Sequence, residues 1–278
     1  VYGPAIDTKL ITAGTPLDDT SVSEEILEKY NFGSVVPKNA DGSMFGYITA
    51  REALTYSKNL TSIKTVDMLG LDTALNYGKK AGLKYAPQSH TMSALALGQF
   101  DQPIGNRDGG NTTILASAYG AFGNNGVIYE PALYTKVEDA SGNLLLEKEP
   151  ISTKLFSPQT SYIIYDILKG SSTSAQFNDI PVAGKTGTTN SSDNFWFAGL
   201  TPYYSGSVWI GYDNPQRMNG RSSSAASLFS KIMAVAHEGL EYKDIEKPSG
   251  LVEAKVCKDS VIPFSEVAQN FFSSAFSN

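Results

Sequence analysis

The stretch Pro181–Asn214, PVAGKTGTTNSSDNFWFAGLTPYYSGSVWIGYDN, constrains this chain more than any other. It predicts three short strands joined by two tight turns, one at Asn190–Asn194 and one at Pro202–Gly206. Phe195, Trp196 and Phe197, and then Val208, Trp209 and Ile210, suit a pleated, half-buried surface. Turns this short force antiparallel neighbours, so the segment reads as a β-meander. Its first strand carries Lys185-Thr186-Gly187-Thr188-Thr189. Burying that run as plain core would strand a lysine and several hydroxyls without partners. The bland alternative is a polar edge with a solvated lysine. We favour an edge strand that borders a cleft, where Lys185 supplies charge and Gly187 lets a ligand approach the backbone.

The remaining composition narrows the chemistry. A chain of 278 residues holds one large domain or two small ones. A net charge of −6 argues against nucleic acid as the main partner. No apolar run is long enough to span a membrane, and no secretory signal opens the chain. Cys257 is the single cysteine, so no internal disulfide forms. His90 and His237 are the only histidines, which excludes a multi-histidine metal site and favours structural or solvated roles for both. Catalysis therefore falls to serine, lysine, asparagine, threonine or carboxylates. The opening Val1-Tyr2-Gly3-Pro4 lacks a methionine and reads as the start of a fragment.

Residues 1–47 are dense in Gly, Pro, Asp, Thr and Ser and predict mostly loop with short helical or extended pieces, wrapped on the surface of something larger, with turns at Leu17–Thr20 and Lys38–Gly42. Thr49-Ala50-Arg51-Glu52 is a capping box that starts a helix running toward Ser57. A second helix carries Leu60, Ile63, Val66 and Leu69 to a stop at Gly70, and Asp72 is placed to cap a third that ends at Gly82. Thr112 or Thr113 is expected to cap a further helix, closed by Gly123–Gly126, whose small residues Ala116–Ala121 suggest close burial. A hairpin is expected over Leu133–Lys148, and Ser157-Pro158 reads as an N-cap with proline at the first helical position. After the meander, Leu228, Ile232, Val235 and Leu240 form a stripe expected to pack on the sheet, and a short helix is possible over Glu266–Phe276.

Two features now combine. Ser57-Lys58-Asn59 lies where two predicted helices meet, and Lys185-Thr186-Gly187 lies on a strand. Ser-x-Asn and Lys-Thr-Gly, with Ser-x-x-Lys, are motifs of penicillin-binding proteins and class A β-lactamases. With Arg51-Glu52-Ala53-Leu54, Tyr119-Gly120-Ala121-Phe122 and Trp209-Ile210-Gly211-Tyr212, they make residues 1–240 or so resemble the transpeptidase domain of class A penicillin-binding proteins. Those are the bifunctional peptidoglycan synthases of bacteria. One departure stands out: no lysine of the chain has a serine three positions before it, so the motif bearing the acylated serine is missing.

The resemblance implies an α/β (α+β) fold, an antiparallel sheet flanked by helices, with the first strands absent from this chain. It implies a transpeptidase domain over residues 1–245, incomplete at its N-terminus, and a tail over 246–278. It implies peptidoglycan D,D-transpeptidation by serine acyl transfer, with D-Ala-D-Ala stem peptides and β-lactams as partners and no metal or organic cofactor. Ser57 would relay a proton, and Asn59 would hold a substrate carbonyl and a catalytic lysine. Lys185 would keep the site positive, Thr186 and Thr188 would bind the substrate carboxylate, and Gly187 would open the backbone to ligand. The nucleophile, and an anchor to the outer face of the bacterial cell membrane, would come from a missing N-terminal segment. The alternatives are a D,D-carboxypeptidase or β-lactamase of the same superfamily, and a non-catalytic module that binds cell-wall peptide or a partner protein.

Overall fold

The computed structural model describes residues 1–100 and 108–256. Cys257 and the Glu266–Phe276 helix expectation lie outside them. The chain opens not on surface loop but on core. Helix α1 (Tyr2–Asp7) buries Tyr2, Ala5 and Ile6, and the Tyr2 hydroxyl meets Thr61 Oγ1 at 2.9 Å. Pro4 is tolerated because the first turn of a helix has no partner for its missing N–H. Strand β1 (Pro16–Asp19) then pairs antiparallel with β2 (Gly46–Thr49), on either side of α2 (Glu24–Lys29).

The Thr49–Glu52 capping box is present in both directions and starts α3 (Ala50–Thr55). Helices α4 (Asn59–Leu69) and α5 (Leu71–Lys80) meet at Gly70, whose φ of 84° suits the break. Asp72 is therefore not a cap. It sits inside the first turn of α5, where its charge faces the positive end of the helix. A short helix, α6 (Met92–Leu97), carries no motif visible in the sequence and packs Met92 and Ala96 against α4.

Helix α7 (Thr112–Gly123) is capped by Asn111, whose Oδ1 accepts from Ile114 N at 2.9 Å, rather than by either threonine. Only Ala121 is fully buried on it. Its small residues serve close approach instead: a Cβ on Gly123 would lie 2.7 Å from Leu200 of the sheet. Strand β3 (Val127–Tyr129) pairs with a distant β6 (Ser152–Lys154), enclosing the expected hairpin of β4 (Lys136–Glu138) and β5 (Leu144–Glu147). Ser157 caps α8 (Pro158–Lys169) with proline in the first turn.

The meander forms as expected. Strands β7 (Ala183–Thr188), β8 (Asn194–Leu200) and β9 (Ser205–Gly211) make an antiparallel sheet in sequence order, so β7 is an edge. One face carries Ala183 and Leu200 into a core with Tyr165 of α8. The other carries Phe197 and Val208 onto α9 (Ser223–Ala236). The stripe read on that last helix is the wrong one. Leu228, Ile232 and Val235 are 42%, 51% and 67% exposed, whereas Ala225, Ala226, Phe229 and Met233 are buried. Both stripes have helical spacing, so periodicity could not choose the phase. The Phe197–Phe229 contact, with ring centroids 4.8 Å apart, does.

Candidate active site

Alternation along β7 decides what its residues face. Ala183, Lys185 and Gly187 share the side that packs on α8, and Gly184, Thr186 and Thr188 share the other. Lys185 is half-buried, and among the described residues its Nζ reaches only the Thr186 carbonyl, at 3.4 Å. No carboxylate pairs with it among the described residues. Burial alone pushes the amine down from 10.5 to about 8. It remains mainly a cation at pH 7.

The edge also turns backbone groups away from β8. Thr189 N donates to Asn194 O, which makes 189/194 a hydrogen-bonded pair. Pairs alternate, so Gly184, Thr186 and Thr188 turn their amide and carbonyl groups away from β8. Upstream, this outer row is taken: Ser172 Oγ donates to Val182 O at 2.6 Å, and Ser171 Oγ donates to Gly184 O at 2.7 Å. The row opens at Thr186 and Thr188, whose N–H groups point off the sheet edge. The Thr186 side chain lines a cavity of about 290 Å³ with Ser172, Thr173, Arg221, Ser222 and Ser223. Gly187 has a second reason to be glycine, because a Cβ there would meet Trp196 Cβ at 3.3 Å. Trp196 is half-buried between the buried Phe195 and Phe197.

Ser57-Lys58-Asn59 forms the turn between α3 and α4. Ser57 N donates to Leu54 O and Lys58 N donates to Ala53 O, which closes α3 and holds Ser57 at a φ of 58°. That left-handed backbone costs a serine about 1 kcal/mol. Ser57 is exposed, and Asn59 is half-buried with its Nδ2 donating to Lys38 O at 2.8 Å. One amide N–H and Oδ1 of Asn59 remain for other partners.

A short path of contacts runs from the end of α3 to β7. The last residue of α3, Thr55, lies beside Gly170, where an added Cβ would be 3.9 Å from its Oγ1. The next residue, Ser171, donates to Gly184, one position before Lys185. Among the described residues no cluster of histidine, cysteine and carboxylate side chains suits a metal ion, and no helix is long and apolar enough to cross a membrane.

This arrangement has close relatives. The family described as Penicillin binding protein transpeptidase domain matches residues 4–234. Penicillin-binding protein 1A of Clostridium perfringens is 49% identical over 94% of this chain and 32% of its own length. Penicillin-binding protein 1A/1B of Bacillus subtilis is 32% identical over 93% of this chain and 29% of its own length. The chain thus spans about a third of the curated relatives it matches. Penicillin-Binding Protein 1A from Haemophilus influenzae superposes with a TM-score of 0.72 at 20% identity, over 92% of this chain and 44% of that one. The PonA1 protein from Mycobacterium tuberculosis, in complex with penicillin V, gives 0.70 at 18% identity, over 89% and 70%. With a family model matched over residues 4–234 and relatives up to 49% identical over most of its length, the chain belongs to the penicillin-binding protein transpeptidase domain family, and its similarity is to the transpeptidase part of class A members.

Proposed function

We propose that residues 1–245 are the acyl-transfer body of a peptidoglycan D,D-transpeptidase, with residues 246–278 a tail. The observation that carries the reading is Lys185: a half-buried cation without a carboxylate partner among the described residues, on a sheet edge whose next N–H groups point outward. A plain edge lysine would be solvated, and a plain core would not hold one. In this reading a serine and its lysine, both supplied from outside these 278 residues, form and break the acyl bond. The serine oxygen attacks the carbonyl of a D-Ala-D-Ala end or a β-lactam. Ser57 passes a proton to the leaving nitrogen as the C–N bond breaks. Asn59 positions the substrate amide. The Thr188 N–H stabilises the developing oxyanion, a role typically contributing about 3 kcal/mol. The Thr186 and Thr188 hydroxyls receive the substrate carboxylate while Lys185, on the other face of the strand, keeps the local potential positive, with Gly187 keeping the backbone within reach. The substrate places the site on the outer face of the bacterial membrane, with anchoring by a segment outside these residues.

Labelled penicillin, followed by mass spectrometry and stopped-flow acylation, tests this. The 278-residue chain alone forms no adduct, and the longer polypeptide that carries a Ser-x-x-Lys segment forms one. In that polypeptide Ser57→Ala slows acylation by about 10²–10⁴-fold with little change in binding. Lys185→Ala weakens both binding and acylation, and Lys185→Arg recovers part. An adduct on any serine of the isolated chain overturns the assignment. The absent nucleophile favours a second reading, a non-catalytic peptide-binding module, and an unreactive longer polypeptide that still binds stem peptide would establish it.

A further inference from the structure

Lys58, between the two motif residues, is 1% exposed. Buried lysines are rare unless paired, and this one is paired three ways. Its Nζ donates to Ser43 Oγ at 2.6 Å and to Asp41 Oδ2 at 3.0 Å, and lies 3.8 Å from Oδ2 of the fully buried Asp19. It also sits 3.8 Å from the centre of the Phe45 ring. The same loop grips the motif again. Asn39 Oδ1 accepts from Leu60 N at 3.1 Å, Asn39 Nδ2 donates to Asp19 Oδ1 at 2.7 Å, and Lys38 O accepts from Asn59. Ser43 and Lys58 hold the Asp41 carboxyl down to about 2, so it stays an anion wherever the site works. The ammonium is thus buried while the neighbouring Ser57 is exposed, on a left-handed backbone that has no glycine to relax it.

We propose that Lys58 is a positioning residue: its ammonium, clamped by Asp19, Asp41 and Ser43, locks the left-handed turn that presents Ser57 and Asn59 to the substrate. It touches no reacting atom. Its removal leaves both motif side chains in place but free to wander, and displacement by about 1 Å is enough to lose roughly 100-fold in a positioned reaction. The inference rests on the assignment of Ser57 as proton relay, and the experiment separates the two.

The assay is stopped-flow acylation by labelled penicillin in the full-length protein. Lys58→Met is expected to lower the acylation rate constant by about 10–100-fold while the dissociation constant for penicillin moves less than about twofold. Ser57→Ala/Lys58→Met should then be slower than Ser57→Ala by clearly less than the full Lys58→Met factor, because the relay part of the loss is already taken and only the part through Asn59 remains. A general loss of stability would instead add to the serine effect. If Lys58→Met does not fold, Asp41→Asn with Ser43→Ala decides, since it loosens the ammonium while Asp19 keeps its bonds to Asn39 and Phe45 N. A wild-type rate constant in the folded lysine variant, or in the clamp variant, or a fully additive double variant, overturns the inference. Should Ser57→Ala itself react at the wild-type rate, the relay assignment falls and takes this inference with it. An impaired Ser57→Ala beside an unimpaired Lys58→Met refutes the clamp alone.

Discussion

Removing Lys185 should stabilise the protein while disabling it. Its amine is held at about 8 against an ordinary 10.5, with burial as the cause. A difference of that size corresponds to roughly 3 kcal/mol of disfavour for the charged form. Between about pH 8 and 10.5 the unfolded chain binds more protons than the fold, so stability rises with pH across that window. Below pH 8 the disfavour is present in full. Lys185→Met keeps the length of the side chain and discards the charge. At pH 7 the variant should therefore be more stable by about 1–3 kcal/mol, the lower end applying where water still reaches the half-buried amine. The advantage should shrink steadily above pH 8 and vanish only above pH 10.5, where the lysine becomes neutral in both states. Urea unfolding of both proteins from pH 6.5 to 10 measures it, and taking the difference cancels the tyrosines. Penicillin affinity of the wild type should begin to fall above pH 8, as the charge that keeps the local potential positive is lost. A variant less stable than wild type at pH 7, or a difference independent of pH, would show that Lys185 is solvated and its cation unstrained.

Two further substitutions test the scaffold. Phe197→Ala empties the layer between sheet and α9, where the ring is fully buried and lies over the backbone of Gly184 and Gly199, and it should cost about 3–5 kcal/mol in chemical unfolding. Gly126→Ala should cost at least about 2 kcal/mol by the same measurement, because φ is 82° and the new Cβ would fall 2.0 Å from the Phe156 carbonyl oxygen.

What could be read in advance was local. The meander, the Thr49–Glu52 capping box and the Ser157-Pro158 start each rest on interactions within a few residues, and each is where it was expected. Pairings between distant strands left no such trace: β1 with β2 and β3 with β6 are short and carry no shared pattern. Phase failed for a related reason. Leu228 and Phe229 stand on different faces of α9, and only the partner ring on β8 selects between them. The site divides in the same way. Residue types marked Lys185, because a lysine among small hydroxylated residues is costly to explain otherwise, whereas Ser57 and Asn59 were marked by resemblance to a Ser-x-Asn motif. The direction of the Thr188 N–H needed the strand register, which turn chemistry nearly supplied: fixing Thr189 opposite Asn194 fixes every outward amide on β7. Lys58 was invisible because a lysine beside a serine and an asparagine reads as solvent-facing. Its burial depends on Asp19, Asp41 and Ser43, which lie fifteen to thirty-nine residues earlier in a stretch that reads as mostly loop. A motif named by its first and third residues hides the second, and here the second is the one that the rest of the fold has gripped.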